Sequence, residues 1–183
     1  MKASPTAIDG MLVIETAPIA DARGWFLESW NQPRFDALLG LEVRFVQDNH
    51  SHSLQGVLRG LHYQVPPRAQ GKLVRVLRGS VFEVAVDVRR NSNSFGRWVG
   101  VTLSQENQRM AWHPPGLAHG FLVLGDGEDL IYKTTEHHAP ALERCIRWDD
   151  PAIGIAWPTL GQPPLMSERD AVAPRLADAP CFD

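Results

Sequence analysis

The chain has 183 residues, of which 44% are hydrophobic and 21% are charged, and its formal net charge is −3. These values are ordinary for a globular protein, so we expect a single domain over 1–183 with a packed core. The slight acidity and the lack of a basic stripe argue against a nucleic-acid-binding protein. The longest apolar runs are far shorter than the ~20 residues that cross a bilayer, so no membrane partner is predicted.

Two features bear on the compartment. The N-terminal residues from Met1 to Pro5 lack the apolar stretch of a secretory signal. Cys145 and Cys181 are the only cysteines, and their spacing matches neither a metal-binding nor a redox motif. Two unpaired thiols are typical of a reducing compartment, so the sequence predicts a cytoplasmic protein.

Short apolar segments with a period of two predict β-strands along most of the chain. The clearest is 80–90, in which Phe82, Val84, Val86 and Val88 share one parity. The other predicted strands are 11–15, 25–30, 43–46, 57–62, 73–77, 98–103, 120–124 and 130–134. Many short strands separated by Gly, Pro and Asn predict an all-β sandwich or barrel.

Three segments depart from this pattern. We predict one early helix, with Asn31 as its N-cap and Gly40 at its end. Gly79 follows one predicted strand and precedes the next, and its freedom to adopt positive φ predicts a tight hairpin. From residue 158 onward proline and polar residues replace the strand pattern. We therefore expect an extended C-terminal arm over 158–183, with a helical turn near Ser167.

Polar and charged residues are concentrated in a strand-like stretch between Gln47 and Lys72. Buried polar groups need partners or cost stability, so this concentration predicts a pocket lined from inside a sheet. Arg59, His62 and Lys72 facing one cavity would suit an anionic substrate with an acidic proton. A second dense segment, 113–121, uses a Pro-Pro-Gly turn to direct a histidine inward. Together these segments indicate an enzyme.

The same two segments are similar to the two half-motifs of a cupin barrel, and many cupins bind a metal through histidines and a carboxylate. A metal site is nevertheless disfavoured, because Lys72 near the pocket would repel a cation. His50 and His52 alternate on one strand face without an evident third ligand. We expect these two histidines, and likewise His137 and His138, to lie in loops or face solvent. The sequence therefore predicts no metal.

Five blocks resemble the dTDP-4-dehydrorhamnose 3,5-epimerase family, in order along the chain. They are Val-Gln-Asp-Asn-His-Ser (46–51), Gly-Val-Leu-Arg-Gly-Leu-His-Tyr-Gln (56–64), Gln-Gly-Lys-Leu-Val-Arg (70–75), Pro-Pro-Gly-Leu-Ala-His-Gly-Phe (114–121) and Tyr-Lys-Thr-Thr (132–135). Arg23-Gly24 with Phe26 and Glu28, and Ser167-Glu-Arg-Asp170, match the same family. The resemblance implies a cupin-type jelly-roll barrel and a homodimer that exchanges N-terminal strands. It also implies a dTDP-sugar substrate and no cofactor.

The resemblance implies catalytic roles for four residues. A 4-keto group acidifies the C–H bonds at C3 and C5, so epimerisation needs a base on one face and a proton donor on the other. His62 matches the base, and imidazoles titrate near physiological pH. Asp170 matches the acid that orients this histidine, and Tyr132 matches the donor on the opposite face. Lys72 matches the cation near the developing enolate oxygen.

The resemblance also implies a set of substrate-binding residues. These are Arg23, Phe26, Glu28, Gln47, Asn49, Arg59, His119, Glu143 and Arg169. Arg23 and Arg59 suit the diphosphate, because a guanidinium pairs with phosphate oxygens. Phe26 suits packing against the base. Family members often carry lysine where Arg169 stands, which keeps the charge and changes the geometry.

Each of these residues has a purely structural alternative. Taken alone, His62 fits a satisfied interior histidine and Tyr132 fits an ordinary strand aromatic. Asp170 fits a helix-capping pattern after Ser167, and Arg59 fits a solvated strand residue. Only their joint occurrence in family order favours the functional interpretation.

From the resemblance we expect epimerisation at C3 and C5 of dTDP-4-dehydro-6-deoxy-D-glucose. The product is dTDP-4-dehydro-L-rhamnose, an intermediate of dTDP-L-rhamnose biosynthesis. One alternative is a relative that inverts a single carbon in another dTDP-deoxysugar pathway, because it would share the same catalytic residues. Another is a non-catalytic or metal-binding cupin that senses a nucleotide sugar.

Overall fold

The computed structural model describes residues 1–183. Most of its regular secondary-structure elements are short antiparallel strands. The strands are β1 (Lys2–Pro5), β2 (Leu12–Glu15), β3 (Ile19–Asp21), β4 (Gly24–Phe26), β5 (Gln47–Leu54), β6 (Leu58–Gln64), β7 (Lys72–Arg78), β8 (Ser80–Asp87), β9 (Trp98–Ser104), β10 (Arg109–His113), β11 (Leu117–Val123), β12 (Gly127–Thr134) and β13 (Glu143–Cys145). The α-helices are α1 (Gln32–Leu39) and α2 (Glu168–Ala171), and 3₁₀ turns lie at Pro140–Leu142 and Leu176–Asp178. Neither helix has the length and apolar character needed to span a membrane.

Two sheets form the body of the molecule. One has six strands in the order β1-β2-β10-β7-β12-β5, and the other has five in the order β13-β6-β11-β8-β9. A separate two-stranded hairpin is formed by β3 and β4. The predicted all-β class is confirmed, but the strands make two separate sheets and no closed barrel. From β5 to β12 the chain crosses between these sheets at nearly every connection, which brings strands distant in sequence side by side.

Gly79 shows how such a crossing is made. It joins β7 to β8 with a φ of +79°, and a Cβ at this position would collide with the backbone oxygen of Gly127. The tight connection is confirmed, but the predicted hairpin is wrong. Strand β7 pairs with β10 and β12, whereas β8 pairs with β11 and β9. The glycine therefore turns the chain from one sheet into the other.

Side chains along β8 point alternately to the outer face of the five-stranded sheet and to the space between the two sheets. Val84 and Val86 pack on the outer face of the five-stranded sheet with Leu176 of the C-terminal segment. Val81, on the other parity, packs between the two sheets with residues such as Val74. Both faces of this strand are therefore buried, because the C-terminal segment covers the outside.

The predicted helix is confirmed at both ends. Asn31 Oδ1 accepts a hydrogen bond from the Arg34 N–H at 3.1 Å, and Gly40 ends the helix with a φ of +69°. The helix packs through an aromatic cluster whose ring centroids lie 4.9 to 5.9 Å apart. The cluster consists of Trp30, Phe35, Phe45 and Trp112. Each such pair contributes about 0.5–1.5 kcal/mol beyond its buried area, which holds α1 on the six-stranded sheet.

Several segments differ from the predicted strands. Segment 43–46 is not a strand, because the Val43 N–H donates to Asp36 Oδ1 and Phe45 packs in the aromatic cluster. The predicted strand at 25–30 ends at Phe26. Strands β1, β3, β10 and β13 were not predicted, and the sequence of β10, Arg-Met-Ala-Trp-His, lacks clear alternation.

The segment after residue 158 runs along the five-stranded sheet without joining it as a strand. Leu58 N–H donates to the Leu165 oxygen, and Phe182 N–H donates to the Val88 oxygen, each at 2.9 Å. The predicted helical turn near Ser167 is α2, whose first turn is capped by the Ser167 hydroxyl. These contacts hold α2 against β6, which positions it for the site described next.

Candidate functional site

A cavity of about 340 Å³ lies between the two sheets and contains most of the predicted site residues. The six-stranded sheet lines it with Gln47, Asn49, Ser51, Lys72 and Tyr132. The five-stranded sheet lines it with Arg59, His62, His119, Phe121 and Glu143, and loops add Gln70 and His138. The strand crossings thus bring residues from six strands to one cavity.

An irregularity in β6 places Arg59 and His62 on the same face. Strand β11 advances two residues, from His119 to Phe121, while β6 advances three, from Arg59 to His62. An extra residue in one strand of a pair shifts the alternation of its side chains. Gly60 permits the extra residue in β6 for two reasons. Its φ of +128° is rarely adopted by other residues, and a Cβ at this position would lie only 2.6 Å from the Gly120 Cα.

His62 is held by a buried carboxylate from α2. Its Nε2 lies 2.7 Å from Asp170 Oδ1, and the two side chains are 25% and 4% exposed respectively. Gly60 N–H donates to Asp170 Oδ2 at 3.3 Å, and the Cys145 thiol lies 3.6 Å from Oδ1. Burial raises the pKa of Asp170, but the hydrogen bond from His62 and these further donors lower it overall. Asp170 is therefore an ionised acceptor, which assigns the His62 proton to Nε2.

The capping alternative for Asp170 is correct only in part. The Ser167 hydroxyl accepts from the Asp170 backbone N–H at 3.1 Å, as a helix cap does. The carboxylate itself points away from the cap and bonds with His62 and Gly60. The short helix thus presents a carboxylate to β6.

Lys72 and Tyr132 lie on the wall opposite His62. The Lys72 side chain is almost fully buried, and this burial lowers its pKa to about 8 against the opposing effect of Glu143 and Glu83. Burial also raises the pKa of Tyr132, and the charge of Glu143 adds to the increase. Near neutral pH the cavity therefore contains an ammonium and a phenol that keeps its proton.

His119 lies beside these groups and contacts a buried glutamate. Its Nδ1 is 2.9 Å from Glu83 Oε1, and His113 Nε2 is 3.0 Å from the same oxygen. The His113 contact is too poorly aligned to count as a hydrogen bond. Burial and the charge of Lys72 lower the pKa of His119 to about 3, so this ring is neutral.

Arg59 lies at the open side of the cavity. Its Nε donates to Ser53 Oγ at 3.0 Å and its Nη2 lies 3.4 Å from the His52 oxygen. One edge of the guanidinium is therefore anchored, and Nη1 has no partner in the protein. Nearby on β5, Gln47 Nε2 donates to Asn49 Oδ1 at 2.9 Å. These donors and acceptors suit a polar, anionic ligand.

Four predicted binding residues do not line this cavity. Arg23 is 89% exposed and pairs with Asp21, while Phe26 on the same β3–β4 hairpin is 69% exposed. Glu28 follows that hairpin and pairs with Arg34 at 2.7 Å. Arg169 is on α2 and does not line the cavity, but its Nη1 is 2.5 Å from Glu143 Oε2.

Sequence reasoning missed several lining residues. Ser51 shares the parity of Gln47 and Asn49 on β5, so the strand alternation was a usable signal. Gln70 and Phe121 lie inside the family-like blocks but were not singled out. His138 was expected in a loop or facing solvent; it is half exposed but also lines the cavity, 3.5 Å from Glu143. His50 and His52 are exposed on β5, as expected.

Two groups have the residue types and spacing of metal ligands. They are His62 with Cys145 and Asp170, and Glu83 with His113 and His119, each with ligand atoms within 4.8 Å of one another. In the first, Asp170 already accepts from His62 and Gly60. In the second, one oxygen of Glu83 contacts both imidazoles, and the charge of Lys72 acts on His119. This chemistry fits hydrogen bonding better than a cation.

Comparison with known proteins gives consistent results. The family model described as dTDP-4-dehydrorhamnose 3,5-epimerase matches residues 5–178. A protein of that name from Pseudomonas aeruginosa is 53% identical, with 100% of this chain and 99% of the relative covered. The crystal structure of dTDP-6-deoxy-D-glucose-3,5-epimerase from Legionella pneumophila, in complex with dTDP-4-keto-L-rhamnose, has a TM-score of 0.94 at 47% identity, covering 100% and 98% of the two chains. A 3'-monoepimerase from Streptomyces bikiniensis in complex with dTDP-quinovose has a TM-score of 0.89 at 37% identity, covering 97% and 88%.

Proposed function

Because the chain belongs to the dTDP-4-dehydrorhamnose 3,5-epimerase family, we propose that it inverts C3 and C5 of dTDP-4-dehydro-6-deoxy-D-glucose. The product is dTDP-4-dehydro-L-rhamnose, so the step belongs to dTDP-L-rhamnose biosynthesis. The reaction is an enolisation driven by side chains alone, with neither metal nor organic cofactor.

One observation carries this proposal: His62 and Tyr132 face one cavity from opposite sheets. Inversion of a carbon requires a proton to leave one face of the sugar and another to arrive at the opposite face. A ring bound between the two sheets would have the imidazole on one side and the phenol on the other. A pocket that only bound a nucleotide sugar would not need this arrangement.

His62 is the base in this mechanism. Since Nε2–H donates to ionised Asp170, Nδ1 carries the lone pair that removes the proton from carbon. The resulting imidazolium is stabilised by the carboxylate, which also keeps the ring oriented. Asp170 thus contributes both charge and geometry without itself taking the proton.

Lys72 and Tyr132 complete the reaction. As the C–H bond breaks, its electrons move toward the C4 oxygen, and the Lys72 ammonium stabilises the enolate oxygen, an effect typically worth about 10²–10³ in rate. Tyr132 then delivers its proton to the opposite face of the carbon. The tyrosinate and the imidazolium return to their starting states by exchange with solvent.

The remaining cavity residues bind the nucleotide sugar. Arg59 offers a free guanidinium edge for a phosphate oxygen, while Gln47 and Asn49 hold the nucleotide. His119 lies near the sugar and phosphate. Glu143 contacts substrate directly and is joined at the rim by Arg169, whose guanidinium replaces the lysine usual in the family.

The β3–β4 hairpin gives support for a homodimer. Ile19, Trp25 and Phe26 are large, apolar and exposed on it, and Ile19 is paired directly with Phe26. A contiguous exposed apolar patch is typical of an interaction surface. Arg23, Phe26 and Glu28 match nucleotide-binding positions but lie away from their own cavity. We propose that exchange of N-terminal strands carries them to the cavity of a second copy.

Three further assignments complete the proposal. The sheet order, in which β5, β12, β7 and β10 face β6, β11, β8 and β9, supports a cupin-type jelly roll. Residues 1–183 act as one domain, with 158–183 as its arm. The two unpaired thiols support a cytoplasmic enzyme.

The test is a time course of solvent-deuterium uptake into the thymidine-linked ketosugar. We expect label at both C3 and C5, together with appearance of the L-rhamno product. Label at one carbon alone would instead support a single-carbon epimerase like the Streptomyces bikiniensis relative. No label, or activity that depends on stoichiometric zinc, iron or manganese, would contradict the proposed mechanism.

A further inference from the structure

Glu83 is a buried ionisable group to which the mechanism above assigns no task. It lies on β8 in contact with His119, which lines the cavity, and is completely inaccessible to solvent. Its Oε1 contacts His119 Nδ1 and His113 Nε2, while Oε2 has no hydrogen-bond partner. Burying a charge with incomplete pairing is unfavourable. We therefore expect this carboxylate to have a function that offsets the cost of its burial.

The contact with His119 determines which nitrogen of that ring holds the proton. Burial raises the pKa of Glu83, but the hydrogen bond from His119 and the close contact with His113 bring it down to about 2, so the group is ionised. A carboxylate can only accept a hydrogen bond, and the neutral His119 must therefore carry its proton on Nδ1. Its Nε2 then presents a lone pair, with no partner in the protein, to a hydroxyl of the bound sugar.

The same charge acts on Lys72. The ionisable groups around this lysine are Glu83, Glu143, Arg59, His62, His113, His119, Tyr132 and His138. Burial disfavours the protonated amine, while Glu143 and, more weakly, Glu83 favour it. Glu143 lies on the partly exposed wall and is already paired with Arg169. Glu83 is fully buried, so its charge is less screened by solvent.

We propose that Glu83 is a positioning residue that fixes His119 as the Nδ1–H tautomer and maintains the positive charge of Lys72. It touches no substrate and acts through these two side chains. The assignment for Lys72 rests on the proposed epimerase function, whereas the assignment for His119 rests on its contact with the ionised Glu83 and does not depend on that function.

The first test needs no variant. Spectra that correlate the ring nitrogens and carbon-bound protons of ¹⁵N-labelled histidine in the whole protein report the tautomer of each neutral imidazole, and His119→Gln identifies the signal. We expect Nδ1 protonated and Nε2 unprotonated in His119, unchanged between pH 6 and 8. The opposite tautomer, or a ring that titrates in this range, would overturn the proposal.

The second test is the pH profile of kcat/KM for Glu83→Gln, which removes the charge and keeps the shape. We expect the fall in activity at alkaline pH to begin about one pH unit lower, because Lys72 loses part of its electrostatic support. At pH 8 this is about a fivefold loss, with a smaller loss at pH 6.5. Glu83→Asp keeps the charge on a shorter side chain. It should return the alkaline fall in activity to the pH of the parent while lowering kcat.

Asp87→Asn is the matched control. Asp87 is a fully buried carboxylate on the same strand, but it pairs with Arg89, Ser92 and Ser94 away from the cavity. We expect it to cost stability without moving the pH profile. A Glu83→Gln profile that coincides with that of Asp87→Asn would show that Glu83 is only structural. If Glu83→Gln fails to fold, the Glu83→Asp profile and the tautomer decide.

The two proposals fail in different ways. If the wild-type protein takes up no deuterium into the ketosugar, the proposed function is wrong, while the tautomer measurement still tests the contact with Glu83. If uptake is normal and His119 carries its proton on Nε2, the function stands and the role of Glu83 is wrong.

Discussion

The cavity and the β3–β4 hairpin contain the two halves of the predicted site, and the chain supports them differently. In the cavity, His62 is held by Asp170, and Asp170 is held in turn by Gly60. On the hairpin, Arg23 pairs only with a residue two positions away and Phe26 is mostly exposed. The groups that we assign to proton transfer thus lie within one chain, whereas the hairpin residues lie away from that chain's cavity and, in our proposal, serve a second copy.

The largest loss of activity is expected when the proposed base, His62, is removed from the cavity. His62→Ala should reduce solvent-deuterium uptake by about 10³-fold or more, since it removes the base. Binding of dTDP should change little, because the imidazole is assigned to chemistry. His50→Ala, at an exposed histidine on β5, is the control and should keep full exchange. Substantial exchange in His62→Ala would refute the assigned base.

The donor on the opposite wall should show a smaller effect. Tyr132→Phe should slow net inversion by about 10²-fold and slow the first proton loss much less, since only the returning proton is lost. Rapid-quench measurement of label and product separates the two steps. Tyr63→Phe is a matched control, because its hydroxyl donates to the Pro180 oxygen at 2.5 Å outside the cavity. Equal inversion rates for Tyr132→Phe and the parent would remove this role.

The buried lysine makes the cavity sensitive to pH. Because burial lowers the pKa of Lys72 to about 8, the ammonium is present below that pH and is lost above it. We expect kcat/KM to fall as the pH rises through about 8, approaching tenfold per pH unit. Lys72→Arg should have a lower kcat/KM. Its residual activity should not fall as the pH rises through 8, since arginine stays charged. A wild-type profile that is flat to pH 9.5 would exclude the assigned role.

At the mouth of the cavity we expect an effect on binding. Arg59→Ala should raise KM about tenfold with a smaller change in kcat, since a charge-assisted hydrogen bond contributes roughly 1.5–3 kcal/mol. Arg109→Ala, at an exposed arginine paired with Glu15, should leave KM unchanged. An unaltered KM for Arg59→Ala would place the diphosphate elsewhere.

The smallest change in KM is expected for a substitution on the hairpin. This substitution also tests whether the hairpin serves its own cavity or that of a second copy. Arg23→Ala should raise KM severalfold, because an exposed ion pair contributes about 0.2–1 kcal/mol. If the hairpin serves a second copy, dissociating and reassembling Arg23→Ala with His62→Ala should produce hybrid dimers with one intact site, whose KM is that of the parent. A mixture that keeps the raised KM of Arg23→Ala would show that the hairpin serves its own chain.

Local chemistry explains which parts of the structure were predictable. The ends of α1 follow from Asn31 and Gly40, and the inward residues of β5 follow from alternation, because both depend on neighbours in sequence. Segment 43–46 failed as a strand because its side chains pack against a helix that precedes it. The hairpin at Gly79 failed because pairing partners are chosen by the whole sheet, which a local turn signal does not contain.

The sequence by itself determined an all-β chain, one capped helix, and the residue types of an acid–base site, since periodicity, capping and chemical identity are local properties. Only the tertiary structure decided that Arg59 and His62, three positions apart, share a face. It also decided that Asp170 turns its carboxylate from the helix cap to His62, and that Glu83 lies beneath His119. These placements depend on contacts between residues distant in sequence, where the pairing register and burial of the whole fold set the geometry.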